Sequence, residues 1–296
     1  MKIVVFGAGA MGSLVGGLLS RKHDVTLIGK PGQVQAIEDV GLAMSGVVEA
    51  VFVPKASDDV SVVEQVDAVI MAVKSPSLRP AMEVVVPLLS GDAILVTLQN
   101  GLRQLEIVKE LCPAGVIGVT GMGANLIGPG RVVYAGEGDT YFGTLNGEQD
   151  RASKMAEAFS GVGMDAEVRE DIVPEVWMKA IVNAAANPLT AILRCRNEGL
   201  LRNEGLLKIC ETVCAEGKAA AEANGIVLPD DPWPRLQTIL RKTGQNKSSM
   251  MQDVEKGRRT EIDDITGALV GFGERKGVRM PVNRTLWQIV NAIGRC

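Results

Sequence analysis

The sequence predicts an α/β domain built on parallel strands, followed by an all-helical domain. Short apolar runs of strand length alternate with helix-like patterns over the first 170 residues, as in successive βαβ units. A glycine-rich turn joins the first run to the first helical pattern. After Arg169 no segment reads as a strand, and helical periodicity continues to the end. The join near Glu170-Asp171 is not Gly/Ser-rich, so the expectation is two domains, 1–170 and 171–296, with a stiff hinge between them. A length of 296 residues agrees with about two domains.

Residues 3–6, 25–28, 68–73 and 94–98 are continuous apolar runs, the pattern of strands buried on both faces. Helical patterns at 11–20, 33–39, 78–89 and 102–111 lie among them. Three β-prone segments, 116–119, 131–135 and 140–142, are expected to extend the same sheet. A helix at 148–160 and a strand at 164–168 would close the domain. The second domain is expected to hold helices at 173–186, 198–224, 234–242, 263–276 and 282–293. Gly225 and Gly277 read as helix stops, and Pro281 stands just before the last helix.

Composition removes several classes of function. Hydrophobic residues make up 46 % and charged residues 22 %, the balance of an ordinary globular protein. A net charge of −4 is not the footprint of a nucleic-acid binder. No uninterrupted apolar run approaches the ~18 residues of a membrane helix, so no membrane partner is expected. The one histidine, His23, rules out a HExxH site and any multi-histidine metal centre, and no metal is expected. His23 sits in a polar stretch between two apolar runs and reads as a turn residue. The five cysteines, Cys112, Cys195, Cys210, Cys214 and Cys296, form no CxxC. Cys210 and Cys214, one helical turn apart, read as small packing groups. Their odd number, with a strand pattern starting directly after Met1-Lys2, points to a reducing cytoplasm and no targeting segment.

The run Gly7-Ala8-Gly9-Ala10-Met11-Gly12 is a complete GxGxxG set between a strand and a helix, with a second strand about a dozen residues on. Gly7 permits the tight turn, Gly9 lets backbone approach a pyrophosphate, and Gly12 lets the helix close onto the sheet. The helix N-terminus adds N–H groups and a positive dipole end. This is a Rossmann dinucleotide fingerprint. The second strand ends in Ile28-Gly29-Lys30, with no carboxylate to hold a ribose 2′-OH and a cation in its place. That favours NADP(H), the alternative being a solvated loop lysine. Lys74 follows the third strand, and Asn100, in Gln99-Asn100-Gly101, follows the fourth. Open α/β sheets bind ligands at these strand ends, although caps and turns use the same residue types.

Lys179, Asn183 and Asn187 are spaced i, i+4, i+8, so a helix presents them as one polar stripe among apolar and small neighbours. Desolvation lowers a lysine pKa toward neutrality, where the group can act as a general acid. The alternative is a plain pair with Glu175. A later polar run, from Asn246 through Ser248 and Ser249 to Asp263, reads either as a capped helix start or as a solvated face.

Taken in order, GAGAMG at 7–12, Val73-Lys74, Gln99-Asn100-Gly101, Lys179 with NAAANPLTAI at 183–192, Asn197, NKSSMMQD at 246–253 and RRTEID at 258–263 carry a resemblance. Over its full length the chain resembles the ketopantoate reductase family. The resemblance implies a Rossmann domain followed by a helical domain of the 6-phosphogluconate dehydrogenase-like type. It implies NADPH-dependent reduction of 2-dehydropantoate in pantothenate synthesis. It assigns Lys179 as general acid and Glu261 as the carboxylate that bonds substrate hydroxyl and cofactor ribose. It further assigns Asn183, Asn187, Asn197, Asn246 and Ser249 to the substrate, and Asn100 and Lys74 to the region near cofactor and substrate. Where the family usually has arginine after the second strand this chain has Lys30, which keeps the charge and loses the bidentate fork. A small 2-oxo acid is the expected partner, held between domains that close about the Glu170 region. Helical domains of this type often pair, and a homodimer is left open. Reduction of another 2-oxo acid, or a non-catalytic NADP(H) sensor, are the alternatives.

Overall fold

The computed structural model describes residues 1–63 and 65–293; Cys296 lies outside the described residues. The chain forms two compact units. One holds Met1–Gln99 and Gln104–Ile172; the other holds Asn100–Arg103 and the chain from Val173 onward.

The first unit opens with β1 (Lys2–Phe6), α1 (Ala10–Leu19), β2 (Asp24–Ile28) and α2 (Pro31–Val40). Three short strands follow, β3 (Leu42–Gly46), β4 (Ala50–Phe52) and β5 (Lys55–Ser57). Next come β6 (Ala68–Met71), α3 (Leu78–Val85), β7 (Ile94–Thr97), α4 (Arg103–Leu111) and β8 (Val116–Thr120). The unit ends with β9 (Gly123–Gly128), β10 (Arg131–Gly136), β11 (Thr140–Thr144), α5 (Asp150–Ser160) and β12 (Ala166–Val168). Among the described residues the main sheet has eight strands in the order β12-β11-β8-β7-β6-β1-β2-β5. Its centre is parallel because helices make the crossovers. Register aligns Ile28, Phe6, Met71 and Thr97 across four neighbouring strands. The turns that carry Gly7, Lys30, Lys74 and Gln99 therefore leave one edge of the sheet together.

The expectation that 131–135 extends this sheet is overturned. That segment is β10, which belongs to a separate four-stranded sheet, β4-β3-β10-β9. Its pattern gives the reason: Val132 and Tyr134 are buried while Arg131 is exposed and Val133 only half-buried, so the strand has one apolar face. That face covers α1, where a side chain at Gly17 would meet Leu42, Met44 and Phe52.

The second unit is helical throughout its described residues: α6 (Val173–Leu193), α7 (Asn197–Leu201), α8 (Glu204–Ala223), α9 (Pro232–Lys242) and α10 (Ser249–Glu255). A π-helical turn, Asp263–Gly267, runs into α11 (Ala268–Arg275), and α12 (Pro281–Ile293) follows. Two boundaries differ from expectation. Helix α6 continues through Pro188 to Leu193, because nearly every face of it is buried and packing outweighs the lost backbone bond. The expected 198–224 helix is two helices, because the Asn203 side chain accepts from Leu206 N–H (3.1 Å) and starts α8 afresh. Of the two readings of the Ser248-Ser249 run, the capped helix start holds: Ser248 caps α10. Helix α6 is long and apolar enough to cross a membrane, yet 78 % of its apolar window is buried, as in a core helix. It packs against α11 through an edge-to-face contact of Trp177 with Phe272, centroids 5.4 Å apart.

Candidate active site

In the first unit the glycine loop is stitched to the end of β2. Gly7 and Ala8 N–H both donate to the Ile28 carbonyl, at 3.0 and 2.8 Å. Gly7 has φ +116°, and a Cβ there would lie 2.8 Å from Val73 N, so only glycine makes this turn. A Cβ at Gly12 would collide with the Gly7 carbonyl. Gly9 is different: a Cβ there would meet nothing within 4 Å, and the residue is exposed at the N-cap of α1. The space over Gly9 is thus open beside the first-turn amides of Ala10, Met11 and Gly12, which helix geometry leaves without intrahelical partners. No acidic residue lies in that turn. These features fit the pyrophosphate of a dinucleotide.

Lys30 is exposed at the N-cap of α2, just beyond Gly29, and a Cβ on Gly29 would touch Ala8 Cβ at 2.9 Å. The lysine therefore stands close to the loop, and no carboxylate occupies positions 28–30. Lys74 is exposed at the head of a short 3-10 turn, Ser75–Ser77. The strand ends behind it are tied by a residue given no separate role from sequence. Buried Gln99 donates through Nε2 to the carbonyls of Met71 (2.7 Å) and Val73 (2.9 Å). Gln104 Nε2 donates in turn to the Gln99 carbonyl at 2.6 Å.

In the second unit Lys179 is half-buried on α6, between the fully buried Met178 and Ala180. Burial lowers its pKa from the ordinary 10.5 to about 8, and the negative charge of Glu261 opposes that fall. Glu175, the alternative partner, lies 3.7 Å from Arg235 Nη2. Asn100 falls in this same unit, and its Nδ2 donates to Glu261 Oε2 at 3.1 Å. The structure thus brings Lys179, Glu261 and Asn100 into one polar cluster. Asn183 is half-buried and Asn187 buried further along α6.

Asn197 and Asn246 meet elsewhere in the unit. Asn197 N–H donates to the Asn246 carbonyl (3.2 Å) and its Nδ2 to Thr243 Oγ1 (2.8 Å), while its Oδ1 is buried without a hydrogen-bond partner. Asn246, with Thr243, Gly244 and Gln245, lines a cavity of about 400 Å³. Ser249 is exposed on the first turn of α10. Its neighbour Ser248 is the buried cap, accepting from Met251 N–H (3.1 Å) and from Thr190 Oγ1 (2.7 Å). The buried thiols Cys210 and Cys214 are both pushed up to about 12 by burial, which suits packing and not nucleophilic chemistry. Among the described residues no group of three His, Cys, Asp or Glu side chains is placed to hold a metal ion.

A nucleotide-type glycine loop on a mainly parallel sheet, with a separate helical unit carrying a lysine of lowered pKa, defines a Rossmann-type oxidoreductase. The comparisons with known proteins narrow this. Residues 3–147 match the family model described as ketopantoate reductase PanE/ApbA, and residues 171–294 match that of its C-terminal part. The chain is 36 % identical to the 2-dehydropantoate 2-reductase of Archaeoglobus fulgidus and 37 % identical to that of Pyrococcus horikoshii, covering 99 % of this chain and 97 % of each relative. A crystal structure of a PanE/ApbA family ketopantoate reductase from Ralstonia eutropha JMP134 superimposes with a TM-score of 0.91 at 33 % identity, covering 100 % of this chain and 99 % of that one. A ternary structure of D-mandelate dehydrogenase with NADH and anilino(oxo)acetate also gives 0.91, at 30 % identity and the same coverage. The chain belongs to the ketopantoate reductase family.

Proposed function

We propose that this protein reduces 2-dehydropantoate to pantoate with NADPH, Lys179 delivering the proton. Family membership and the names of the full-length relatives support the substrate. What carries the chemistry is the polar cluster in which Asn100 bonds Glu261 and the Glu261 charge acts on Lys179, whose pKa burial lowers to about 8.

The glycine loop and the first turn of α1 would hold the pyrophosphate, Lys30 would meet the 2′-phosphate, and Lys74 would add charge at the same sheet edge. When bound, the cofactor supplies the hydride that reduces the ketone carbon. Lys179 meets the other half of the demand. At neutral pH it keeps its proton, yet it is a stronger acid than a solvated lysine, so it stabilises the developing oxyanion and protonates it. Glu261 holds the proton on Lys179 and accepts from a substrate hydroxyl. Asn100 orients Glu261 through their shared hydrogen bond. Asn183 and Asn187, on the same helix as Lys179, and Ser249 would hold the substrate carboxylate.

The similarity to a D-mandelate dehydrogenase crystallised with NADH supports a second reading, in which another 2-oxo acid is preferred. Cofactor oxidation assayed against 2-dehydropantoate and a panel of aliphatic and aromatic 2-oxo acids, with NADPH and with NADH, decides between them. The highest kcat/KM is expected for 2-dehydropantoate with NADPH; a higher value for an aromatic 2-oxo acid overturns the substrate assignment.

A further inference from the structure

Asp264 is almost completely buried, 5 % exposed, in the π-helical turn three residues after Glu261. Its Oδ1 lies 3.4 Å from Arg103 Nε, and its Oδ2 is buried with no hydrogen-bond partner. A desolvated carboxyl group so incompletely satisfied needs a reason to be there. Its surroundings supply one. The Leu102 N–H donates to the Asp264 carbonyl at 3.0 Å. Gly101 has φ +92°, and a Cβ there would collide with that same carbonyl. Three consecutive residues, 101–103, therefore converge on Asp264 through backbone and side chain alike. From the other side, the Asp264 N–H donates to the Glu261 carbonyl at 3.1 Å. Asp264 is the shared anchor of the loop that carries Asn100 and the turn that carries Glu261. π-Helical turns of this kind recur at functional sites.

We infer that Asp264 and Arg103 are a positioning pair: they lock the Asn100 loop onto the Glu261 turn and so set the direction in which the Asn100–Glu261 bond meets the substrate. The inference rests on the reading that Glu261 and Asn100 face a 2-oxo acid. Neither Asp264 nor Arg103 touches the reacting atoms in this account. Burial raises the Asp264 carboxyl pKa, and the Arg103 charge opposes that rise.

The test compares the parent enzyme with Asp264→Asn, Arg103→Gln and the double variant, measuring kcat and KM for 2-dehydropantoate and for NADPH together with Tm. Each single variant is expected to raise KM for the oxo acid about tenfold, the scale of a small misplacement of a substrate-binding group. KM for NADPH stays unchanged, and the double variant is no worse than either single one, because both act through one contact. Arg103→Lys recovers part of the loss. A merely structural role would lower Tm and the active fraction while leaving both KM values in place, and that result overturns the inference, as do additive losses in the double variant. Should Asp264→Asn fail to fold, Arg103→Gln carries the comparison, since that side chain is 53 % exposed. An active parent whose variants keep their KM refutes the pair alone. A parent that reduces no 2-oxo acid refutes the functional reading and the pair with it.

Discussion

The Asn100 amide donates to Glu261 Oε2 across 3.1 Å, although 161 residues separate the two in the chain. A turn that follows a strand of the α/β unit thus takes part in the polar cluster of the helical unit. One oxygen of Glu261 is occupied by this bond. The charge of the same carboxylate acts on Lys179 and keeps its pKa from falling below about 8.

That value sets a pH limit. An acid must hold its proton to donate it, so kcat for ketone reduction should be level near neutrality and fall as pH rises through about 8. A pH profile of kcat with saturating NADPH checks this. A rate that rises across the same interval would contradict an ammonium donor.

The same group affects stability. Its pKa is lowered on folding, so between about 8 and the ordinary 10.5 the unfolded chain holds a proton that the folded protein has shed. Stability therefore gains from Lys179 as pH rises through that window, and below it the full cost of the buried ammonium is present. Replacing the amine by an apolar chain, Lys179→Met, should raise Tm at pH 7, with the gap closing toward pH 10.5. A variant less stable than the parent at pH 7 would show that the Glu261 pairing outweighs desolvation.

Two glycines of the loop should fail in different ways. At Gly9 a methyl group meets no protein atom, so Gly9→Ala should keep Tm while weakening NADPH binding by intruding on the pyrophosphate. At Gly12 the methyl group collides with the Gly7 carbonyl, so Gly12→Ala should lower Tm as well. Calorimetric titration beside thermal unfolding separates the two; equal NADPH affinity in Gly9→Ala and the parent would remove the cofactor from this loop.

Lys30 is a point charge where a bidentate arginine would be stronger. Lys30→Ala should reduce the NADPH-over-NADH ratio of kcat/KM by roughly tenfold, the loss of about one charge-assisted contact. An unchanged ratio would make Lys30 a solvated loop residue.

Much of this was readable in the chain because its physics is local. Central strands buried on both faces announce themselves as unbroken apolar runs, such as Val69, Ile70 and Met71. The glycine loop follows from glycine sterics between a strand and a helix. The i, i+4, i+8 stripe on α6 follows from helical pitch alone. What was hidden depends on distant partners. Strand β10 pairs with β3, almost 90 residues earlier, and nothing near Val132 says so. The expected helix at 173–186 stops short of Pro188, and only the burial around α6 shows that it runs on to Leu193. In Asp263-Asp264 two adjacent acids look alike as a solvated run, yet Asp263 accepts from Trp287 and Asn291 while Asp264 is buried against Arg103. Ser248 and Ser249 are likewise alike in sequence, and only the start of α10 makes the first a buried cap and the second an exposed hydroxyl.

The most direct test is single-turnover reduction of 2-dehydropantoate by the NADPH-loaded protein, compared between the parent and Lys179→Ala. A rate lower by roughly 10²–10³ is expected, as when one oxyanion-stabilising donor is removed, with NADPH affinity unchanged. A Lys179→Ala protein that binds NADPH normally and turns over at the parental rate would contradict it.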